Sequence, residues 1–408
     1  MTANINQKVV PRTLKGFRDF LPDEVRKRQY AIDIIRRIFE LYGFEPLETP
    51  ALEYLDIFKG SIGEGEQMFY KFTDAGGRQV ALRYDQTVPA SRVVAQYPDK
   101  IKLPFKRYQI QTVWRAEKPQ KGRYREFLQC DADIFGGTDR TADAETIALT
   151  IDIYKNLGFK KPIAIINDRD LYRDIAYEAI IAIDKLEKIG QDKVITELKK
   201  RGYQNNRAME LLNKIKNNKP NDNLNYIFKF LDNYGMKENY RFSPTLARSF
   251  SYSNGTIWEI IAEGFSGGSL AGCERFDNVV SRFSENQVPG VGFAVGFDRT
   301  ILAMEEMGLF PDMPTNTMIM VTAFNKVLVP YSQKITLLLR ENQINTDLYP
   351  DPNDKLEKQL KYADDKKIPF VAILGPDEEK SNKVTVKNLK TKTQETIPTV
   401  HLLDYFKK

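Results

Sequence analysis

The first strong pattern in the chain is a helical stripe of apolar residues. Four of them lie at roughly helical spacing between Val25 and Tyr42, and Gly43 follows: Ile32, Ile35, Phe39 and Leu41. A stripe of this kind predicts an amphipathic helix that ends at the glycine. Phe44–Thr49 is then predicted to be a strand.

Alternating apolar and polar residues predict two β-hairpins. Met68–Phe72 and Gln79–Arg83 flank the turn sequence DAGG. In a longer hairpin, Arg107–Arg115 and Tyr124–Gly136 flank the basic loop EKPQKG, where Pro and Gly break the pattern. Three polar residues at alternate positions share one face of its second strand: Gln129, Asp131 and Asp133.

The middle of the chain is predicted to be mostly helical. Asp139–Leu157 has a helical pattern, Pro162–Asn167 is a short apolar strand, and Asp168–Asn233 is lysine-rich without strand signals. The glycine-rich segment Val288–Glu305 is predicted to be a strand followed by a helix. Lysines in such helices are usually solvated, so they do not by themselves indicate a binding surface.

A boundary is predicted near the last quarter of the chain. Leu309–Asn316 contains two prolines and an asparagine and is predicted to be a linker. From Met318 onward apolar strands alternate with helices, which predicts a small α/β domain with a mainly parallel sheet.

Composition limits the kind of protein. The chain has 408 residues, enough for two or three domains, and 42% hydrophobic and 28% charged residues, which is ordinary for a globular protein. Its formal net charge of +6 favours an anionic partner such as a nucleotide or nucleic acid. We expect no membrane span, because no apolar run reaches roughly 18 residues, and we expect a cytoplasmic protein, because the N-terminus lacks a signal-peptide pattern.

Cysteine and histidine are scarce. The chain has only Cys130, Cys273 and His401 of these types. This excludes a zinc site held by several Cys and His residues, and catalysis that needs more than one imidazole. Two cysteines fit a reducing compartment. The chemistry must therefore depend on Arg, Lys, carboxylates and a bound metal ion.

The basic loop of the long hairpin is the best candidate for a phosphate site. Its cations could meet phosphates, and an arginine can bind phosphate or carboxylate with two parallel hydrogen bonds: Arg115, Lys118, Lys121, Arg123 and Arg125. Taken alone, the same pattern also describes an exposed hairpin with solvated charges.

The segment FKRYQIQTVWRAEKPQKGRYREFLQCDADIFG resembles motif 2 of class II aminoacyl-tRNA synthetases, in the form that histidyl-tRNA synthetases carry. Lys15–Glu24 resembles the start of that family, and Val25–Pro50 resembles motif 1, which implies a homodimer. Val288–Glu305 resembles motif 3. The resemblance runs from about Lys15 to the C-terminus.

The resemblance implies an ATP site. Arg115 would neutralise the α-phosphate from one side and Arg248 from the other, while Arg299, with Arg123 and magnesium, would hold the β,γ end. Phe127 would stack on adenine, and Glu117 would lie near its amino group. Each of these roles is assigned because the residue stands at the matching position of a family motif.

The resemblance also implies an amino-acid site. Asp85 and Thr87 would bind the ammonium group and, with Gln129, orient the amino acid. Physically, a buried ammonium needs a carboxylate, because an unpaired buried charge is costly. Asp133 is the candidate carboxylate for a ring N–H of histidine.

Two histidine-specific signatures depart from the usual pattern. The first is usually close to LxRGLDYYTGxxFE and here is LARSFSYSNGTIWE, so Arg248 and Tyr252 are kept while Ser251 and Ser253 replace an acidic residue and a tyrosine. Each lost hydrogen bond to a buried ring nitrogen should cost on the order of 1–3 kcal/mol.

The second signature, usually AGGRYD, is here GCERFD. Arg275 and Asp277 are kept, Cys273 and Glu274 stand at glycine positions, and Phe276 replaces a tyrosine. Glu274 could compensate for the lost hydroxyls, close the pocket, or accept another cationic side chain. The sequence leaves these alternatives open.

The fold implied is an α+β catalytic domain with an antiparallel sheet, a helical insertion and a C-terminal α/β anticodon-binding domain. We assign residues 1–315 to the catalytic domain, with the insertion at about 168–240, and residues 316–408 to the anticodon-binding domain. The partners implied are tRNA, ATP with Mg²⁺, and an amino acid, with histidine favoured.

Three functions remain open from the sequence. The first is a histidine–tRNA ligase with an unusual pocket. The second is a related synthetase that has shifted to another amino acid, suggested by the altered signatures. The third is a non-charging regulatory relative, against which the retained arginines and the C-terminal domain argue.

Overall fold

A computed structural model describes residues 9–60, 67–119, 122–247 and 253–406, without the side chains of residues 187 and 188. The chain forms two compact units. The first is Lys27–Phe310 with the segment before Leu21, and the second begins at Pro311 and includes Leu21–Arg26. The change of unit therefore falls inside the proline-containing segment Leu309–Asn316.

The described residues form fourteen α-helices. In chain order they are α1 (Pro22–Leu41), α2 (Leu55–Phe58), α3 (Thr87–Gln96), α4 (Arg140–Asn156), α5 (Tyr177–Ile183), α6 (Leu186–Ile189), α7 (Gln191–Lys200), α8 (Asn205–Lys216), α9 (Asp222–Asn233), α10 (Phe297–Glu306), α11 (Val329–Glu341), α12 (Leu356–Asp365), α13 (Pro376–Ser381) and α14 (Leu402–Phe406).

The strands of the described residues are β1 (Glu45–Pro46), β2 (Leu52–Tyr54), β3 (Lys71–Thr73), β4 (Gln79–Leu82), β5 (Phe105–Trp114), β6 (Glu126–Phe135), β7 (Pro162–Asp168), β8 (Tyr240–Phe242), β9 (Thr256–Ala262), β10 (Ala271–Arg275), β11 (Gly290–Gly296), β12 (Ile319–Val321), β13 (Thr346–Leu348), β14 (Phe370–Ile373), β15 (Lys383–Asn388) and β16 (Thr393–Pro398).

The first unit is built on an eight-stranded sheet with the order β1-β5-β6-β11-β10-β9-β7-β8. The six strands from β5 to β7 pair antiparallel, and β1 and β8 add parallel pairs at the two edges. A small separate sheet, β2-β4-β3, contains the shorter predicted hairpin. The predicted antiparallel catalytic sheet is confirmed.

One face of the large sheet is apolar and packs on helices. Tyr108, Cys130, Ala132 and Phe293 belong to a buried cluster that also contains residues of α1 and α4. Helix α1 contributes Ile35 and Phe39, as the stripe predicts, but Leu41 is 73% exposed. It lies at the last turn, before Gly43 with a φ of +75° redirects the chain.

The opposite face carries polar residues in register across the sheet. One row runs through Arg107, Asp133, Gly292 and Glu274 on four adjacent strands, and we call it the first row. The second row runs through Gln109, Asp131, Ala294, Gly272 and Glu259. Because side chains alternate along a strand, both rows face away from the apolar core.

A buried ion pair fixes β10 against α4. The Arg275 guanidinium donates to Asp143 Oδ2 at 2.7 Å, to Asp143 Oδ1 at 3.2 Å, and to Asp277 at 2.8 Å. Burial opposes its charge, but the hydrogen bonds and charges of these carboxylates raise its pKa. This explains why Arg275 belongs to the scaffold of the site.

The five helices α5 to α9 lie between β7 and β8 in the chain. Residues of α5, α7 and α8 share a buried cluster of their own, which includes Ile180, Val194, Leu198 and Leu212. Much of segment 168–240 therefore packs around an apolar core of its own. The apolar residues of this core explain the helical pattern of the segment.

The second unit has a five-stranded sheet with the order β13-β12-β14-β15-β16. Ile319 and Val321 face one buried cluster with α11, and Met320 faces another with α12. The sheet is half parallel, with β15 and β16 added as an antiparallel hairpin. The prediction of a mainly parallel sheet was therefore wrong, because a hairpin needs no crossover helix.

Other differences are local. The strand predicted over Phe44–Thr49 contains only two paired residues, because it lies at the edge and meets β5 alone. Within the described residues no helix has the length and apolar character needed to cross a bilayer.

We expect Arg275→Met to lower the free energy of unfolding of the first unit by about 3–5 kcal/mol, because Asp143 would remain buried with only the longer ion pair to Arg140, at 3.5 Å. Urea unfolding followed by tryptophan fluorescence measures this change. The matched control is Arg36→Met, since Arg36 and Asp33 are exposed partners on α1, and it should cost no more than about 1 kcal/mol. Equal effects of the two substitutions would contradict the scaffold role of Arg275.

Candidate functional site

A cavity of about 960 Å³ lies over the polar face of the large sheet. Its wall includes the end of β4 and the start of α3, the β5–β6 hairpin, β10, β11 and the start of α10. The structure brings together in this wall most of the residues predicted from the sequence: Asp85, Thr87, Arg115, Glu117, Arg123, Phe127, Gln129, Asp133, Phe276 and Arg299.

Arg115 is held between two aromatic rings at the end of β5. Its guanidinium carbon lies 4.2 Å from the ring centroid of Tyr84 and 5.2 Å from that of Phe127, and its Nε donates to the Tyr84 carbonyl at 3.2 Å. Cation–π contacts orient the charge and leave edge N–H groups for an anion. Tyr84 was not found by sequence reasoning, although it precedes Asp85.

A second cationic group lies at the start of α10. Arg299 follows the N-terminus of this helix, where backbone N–H groups also favour an anion, and donates to the Ser269 carbonyl. Burial, followed by the charge of Arg123, lowers the pKa of Arg299, while the charge of Glu259 raises it. Two like charges near each other, at a cavity wall, suit a polyanion such as a phosphate chain.

Two arginines of the basic hairpin loop, Arg123 and Arg125, have different surroundings. Arg123 lies 3.7 Å from Glu117, and both line the cavity. Arg125 instead donates to the carbonyls of Glu117 and Lys15, at 2.9 and 3.3 Å. Arg125 therefore joins the N-terminal segment to the hairpin. The two segments are so close that a Cβ on Gly16, which has a φ of +90°, would lie 2.8 Å from Cγ of Arg125.

Asp85 lies just before α3 and accepts a hydrogen bond from the Val88 N–H at 3.2 Å. Burial raises its pKa to about 6, although that hydrogen bond and the charges of Arg115 and Arg107 oppose the rise. Its Oδ2 is buried without a hydrogen-bond partner in the described part of the chain. Thr87, the first residue of α3, also lines the cavity.

The first row contains a buried ion pair that sequence reasoning missed. Arg107 and Asp133 are 0% and 1% exposed in their side chains, and Nη2 of the arginine donates to Asp133 Oδ2. Burial raises the pKa of Asp133, and the charge of Arg107 opposes that rise. Their position opposite each other in the hairpin was the available signal.

The second row adds another carboxylate. Burial raises the pKa of Asp131 well above its ordinary range, while the charge of Arg107 opposes the shift. Asp131 Oδ1 and Gln129 Oε1 are buried without hydrogen-bond partners among the residues that the structure covers. Buried polar atoms are normally satisfied, so these atoms and Asp85 Oδ2 indicate a polar ligand.

Gly292 makes the first row possible. A Cβ built on it would lie 1.7 Å from Asp133 Oδ1, so any side chain would displace that carboxylate. The glycine therefore leaves open the space into which Asp133 leans.

The altered signatures are only partly described. Arg248, Ser251 and Tyr252 lie outside the described residues. Ser253 is 5% exposed and is not part of the cavity wall, whereas Phe276 and Glu274 are. Phe276 packs its ring edge-on to Phe135, with centroids 5.8 Å apart.

In the described residues, no three or more acidic, histidine or cysteine side chains gather in a way that would hold a metal ion. Glu117 and Glu259 are carboxylates in the wall near Arg123 and Arg299. A magnesium ion usually takes one or two carboxylates and completes its shell with phosphate and water, so this wall suits an ion that arrives with phosphates.

Known proteins resemble the chain along almost all of its length. A family model described as Histidyl-tRNA synthetase matches residues 16–300, and one described as Anticodon binding domain matches residues 318–408. A histidine–tRNA ligase of Cytophaga hutchinsonii is 38% identical, covering 93% of this chain and 95% of that protein. One of Porphyromonas gingivalis is 34% identical, with 95% and 97% covered.

A solved structure is similar as well. The crystal structure of histidyl-tRNA synthetase from Nostoc sp. PCC 7120 matches with a TM-score of 0.84 and 27% identity. The match covers 98% of this chain and 99% of that chain.

We expect Asp85→Asn to stabilise the protein at pH 8. A carboxyl whose pKa is raised by folding binds protons more tightly when folded, so its contribution to stability is lost as pH rises from about 4 through about 6. Asparagine stays neutral and keeps an acceptor for the Val88 N–H. The gain at pH 8 should be on the order of 2–3 kcal/mol.

Urea unfolding at pH 8 and at pH 4 measures this gain, which should shrink at the lower pH. Asp312→Asn, in an exposed part of the chain, is the control and should give no comparable gain. A gain that is the same at both pH values would show that the Asp85 charge is not its cause.

Proposed function

This chain belongs to the histidyl-tRNA synthetase family, and we propose that it joins histidine to tRNA in the cavity described above. The resemblance inferred from motif 2 is thereby confirmed. The activity is that of a histidine–tRNA ligase, which uses ATP. The observation that carries the location is that Arg115, Arg299 and Asp85 share one cavity with buried polar atoms that lack partners in the described residues.

The reaction has two steps. First, a carboxylate oxygen of histidine attacks the α-phosphorus of ATP, and pyrophosphate leaves. Then a terminal ribose hydroxyl of tRNA attacks the acyl carbon of the adenylate, and AMP leaves. Neither step needs a side-chain nucleophile, so catalysis depends on alignment and neutralisation of charge.

The arginines divide the charge of ATP between them. Arg115, oriented by Tyr84 and Phe127, neutralises the α-phosphate as charge builds up during attack. Arg248 does so from the other side. Arg299 and Arg123 bind the β,γ end. Glu117 or Glu259 would hold magnesium there, and the ion would supply further positive charge.

The remaining wall binds the organic parts. Asp85 and Thr87 bind the histidine ammonium, and Gln129 orients the amino acid, which would satisfy the buried oxygens of Asp85 and Gln129. Phe127 stacks on adenine and Glu117 lies near its amino group. Asp133, Tyr252 and Phe276 border the imidazole.

The proposal extends beyond the cavity. Residues 316–408 bind the tRNA anticodon, and residues 1–315 form the catalytic domain, whose insertion at about 168–240 contacts the acceptor arm. The similarity of segment 25–50 to motif 1 supports a homodimer. We place the enzyme in the cytoplasm, where the buried thiols of Cys130 and Cys273 would stay reduced.

The function is tested by ATP–pyrophosphate exchange with each of the twenty amino acids. We expect exchange with histidine alone. Exchange with another amino acid would instead support the shifted specificity that the altered signatures suggest. No exchange with any amino acid would support the non-charging alternative. Arg248→Ala should abolish most exchange, and unaltered exchange would refute the role given to Arg248.

We expect Arg299→Ala to lower kcat/KM for ATP by about 10- to 100-fold, because a charge-assisted contact to phosphate is lost. The KM for histidine should change much less. Exchange kinetics with varied ATP measure the effect, and Arg241→Ala, on the exposed side of β8, is a control that removes an arginine elsewhere. If the KM for histidine changed more than the kcat/KM for ATP, the role of Arg299 in binding ATP would be refuted.

A further inference from the structure

Glu274 is a carboxylate in the first row that none of the roles above uses. It lies on β10, is 6% exposed, and lines the cavity. Its backbone is paired with Gly292, which is paired in turn with Asp133. The carboxylates of Asp133 and Glu274 therefore face the same cavity from the two sides of Gly292, which has no side chain.

The spacing between these carboxylates suits a small ring. Two strand separations amount to roughly 10 Å, and each side chain covers part of that distance. Asp133 Oδ1 leans over Gly292, because it occupies the space where a side chain at that position would begin. Asp85, Asp133 and Glu274 all line this cavity. Burial raises the pKa of Asp85 and of Asp133, and the charge of Glu274 adds to both shifts.

Asp133 is less available than its position suggests. Its Oδ2 accepts from Arg107, and both side chains are almost fully buried. An ion pair so deeply buried holds its carboxylate in place and neutralises its charge. Glu274 also has a cation nearby, because burial lowers the pKa of Arg169, which follows β7, and the charge of Glu274 opposes that shift.

Elsewhere in the described part of this wall, Asp131 Oδ1 and Gln129 Oε1 also lack a hydrogen-bond partner, but both residues lie outside the first row. Phe276 has no hydroxyl and packs on Phe135, and Ser253 is not part of the wall. A buried imidazole that leaves an N–H unpaired would bind weakly, because the lost hydrogen bonds to water are not replaced. A histidine-specific cavity therefore needs an acceptor on this side.

We propose that Glu274 is a specificity-determining residue of this chain, whose carboxylate accepts a ring N–H of the histidine substrate. The inference rests on the proposed function, because it assumes that histidine occupies the amino-acid half of the cavity. Glu274 then supplies the hydrogen bond for which Phe276 has no hydroxyl, and Asp133, neutralised by Arg107, forms the opposite wall. Selection depends on the N–H itself, rather than on ring size alone.

Thiazolylalanine separates these two bases of selection, because its ring has nearly the shape of imidazole but carries no N–H. We compare kcat/KM for histidine and for thiazolylalanine in ATP–pyrophosphate exchange, using the full-length enzyme. The unaltered enzyme should prefer histidine. Glu274→Ala should reduce that preference by about 10- to 100-fold, mainly through KM for histidine.

A merely structural role for Glu274 predicts a different result. General damage to the cavity would lower exchange with both amino acids by the same factor and leave the preference unchanged, which would overturn the inference. Glu145→Gln, which removes a partly buried carboxylate paired with Lys106 outside the cavity, is the matched control and should leave the preference unchanged.

Glu274→Gln keeps the shape of the side chain and a neutral acceptor. It should lose about 3- to 10-fold of the preference, and it carries the test if the alanine variant does not fold. Failure of the unaltered enzyme to exchange with histidine would overturn the proposed function and this inference with it. Normal histidine exchange, with the preference intact in both Glu274 variants, would overturn the inference alone.

Discussion

The need to balance buried charge on one face of a sheet governs this protein. Asp85, Asp131, Asp133 and Glu274 are all at most 6% exposed in one cavity, and burial disfavours their charged forms. Arg107 offsets part of this cost from within the first row. Several oxygens still have no partner in the described residues, so the free protein retains a cost that a cationic ligand would relieve.

The scaffold keeps these charges in place because the other face of the sheet is a well-packed apolar core. Helices α1 and α4 cover that face, and the Arg275–Asp143 pair joins α4 to β10. Antiparallel register then sets the rows, since a slip of one residue would turn every carboxylate into the core. Gly292 has no side chain, so the surface of the sheet stays open in the middle of the first row, between Asp133 and Glu274.

The two ends of the cavity are adapted to different chemistry. Arginines oriented by aromatic rings and by a helix start occupy the end proposed for phosphates. Carboxylates occupy the end proposed for the amino acid. Opposite charges at the two ends would orient a cationic amino acid against a polyanionic nucleotide before either reacts, which is the main requirement of a reaction without a side-chain nucleophile.

Much of this was determined by the sequence alone, because local patterns encode it. Period-two alternation predicted the long hairpin and the shared face of Gln129, Asp131 and Asp133, and the motif resemblance predicted the family and the arginines. Tertiary structure alone decided which of these groups are neutralised. Arg107 and Asp133 lie opposite each other in the predicted hairpin, but only burial of that face makes them an ion pair. The contact of Arg115 with Tyr84 and the position of Glu274 across Gly292 from Asp133 join separate segments of the chain, whose register and burial no local pattern encodes.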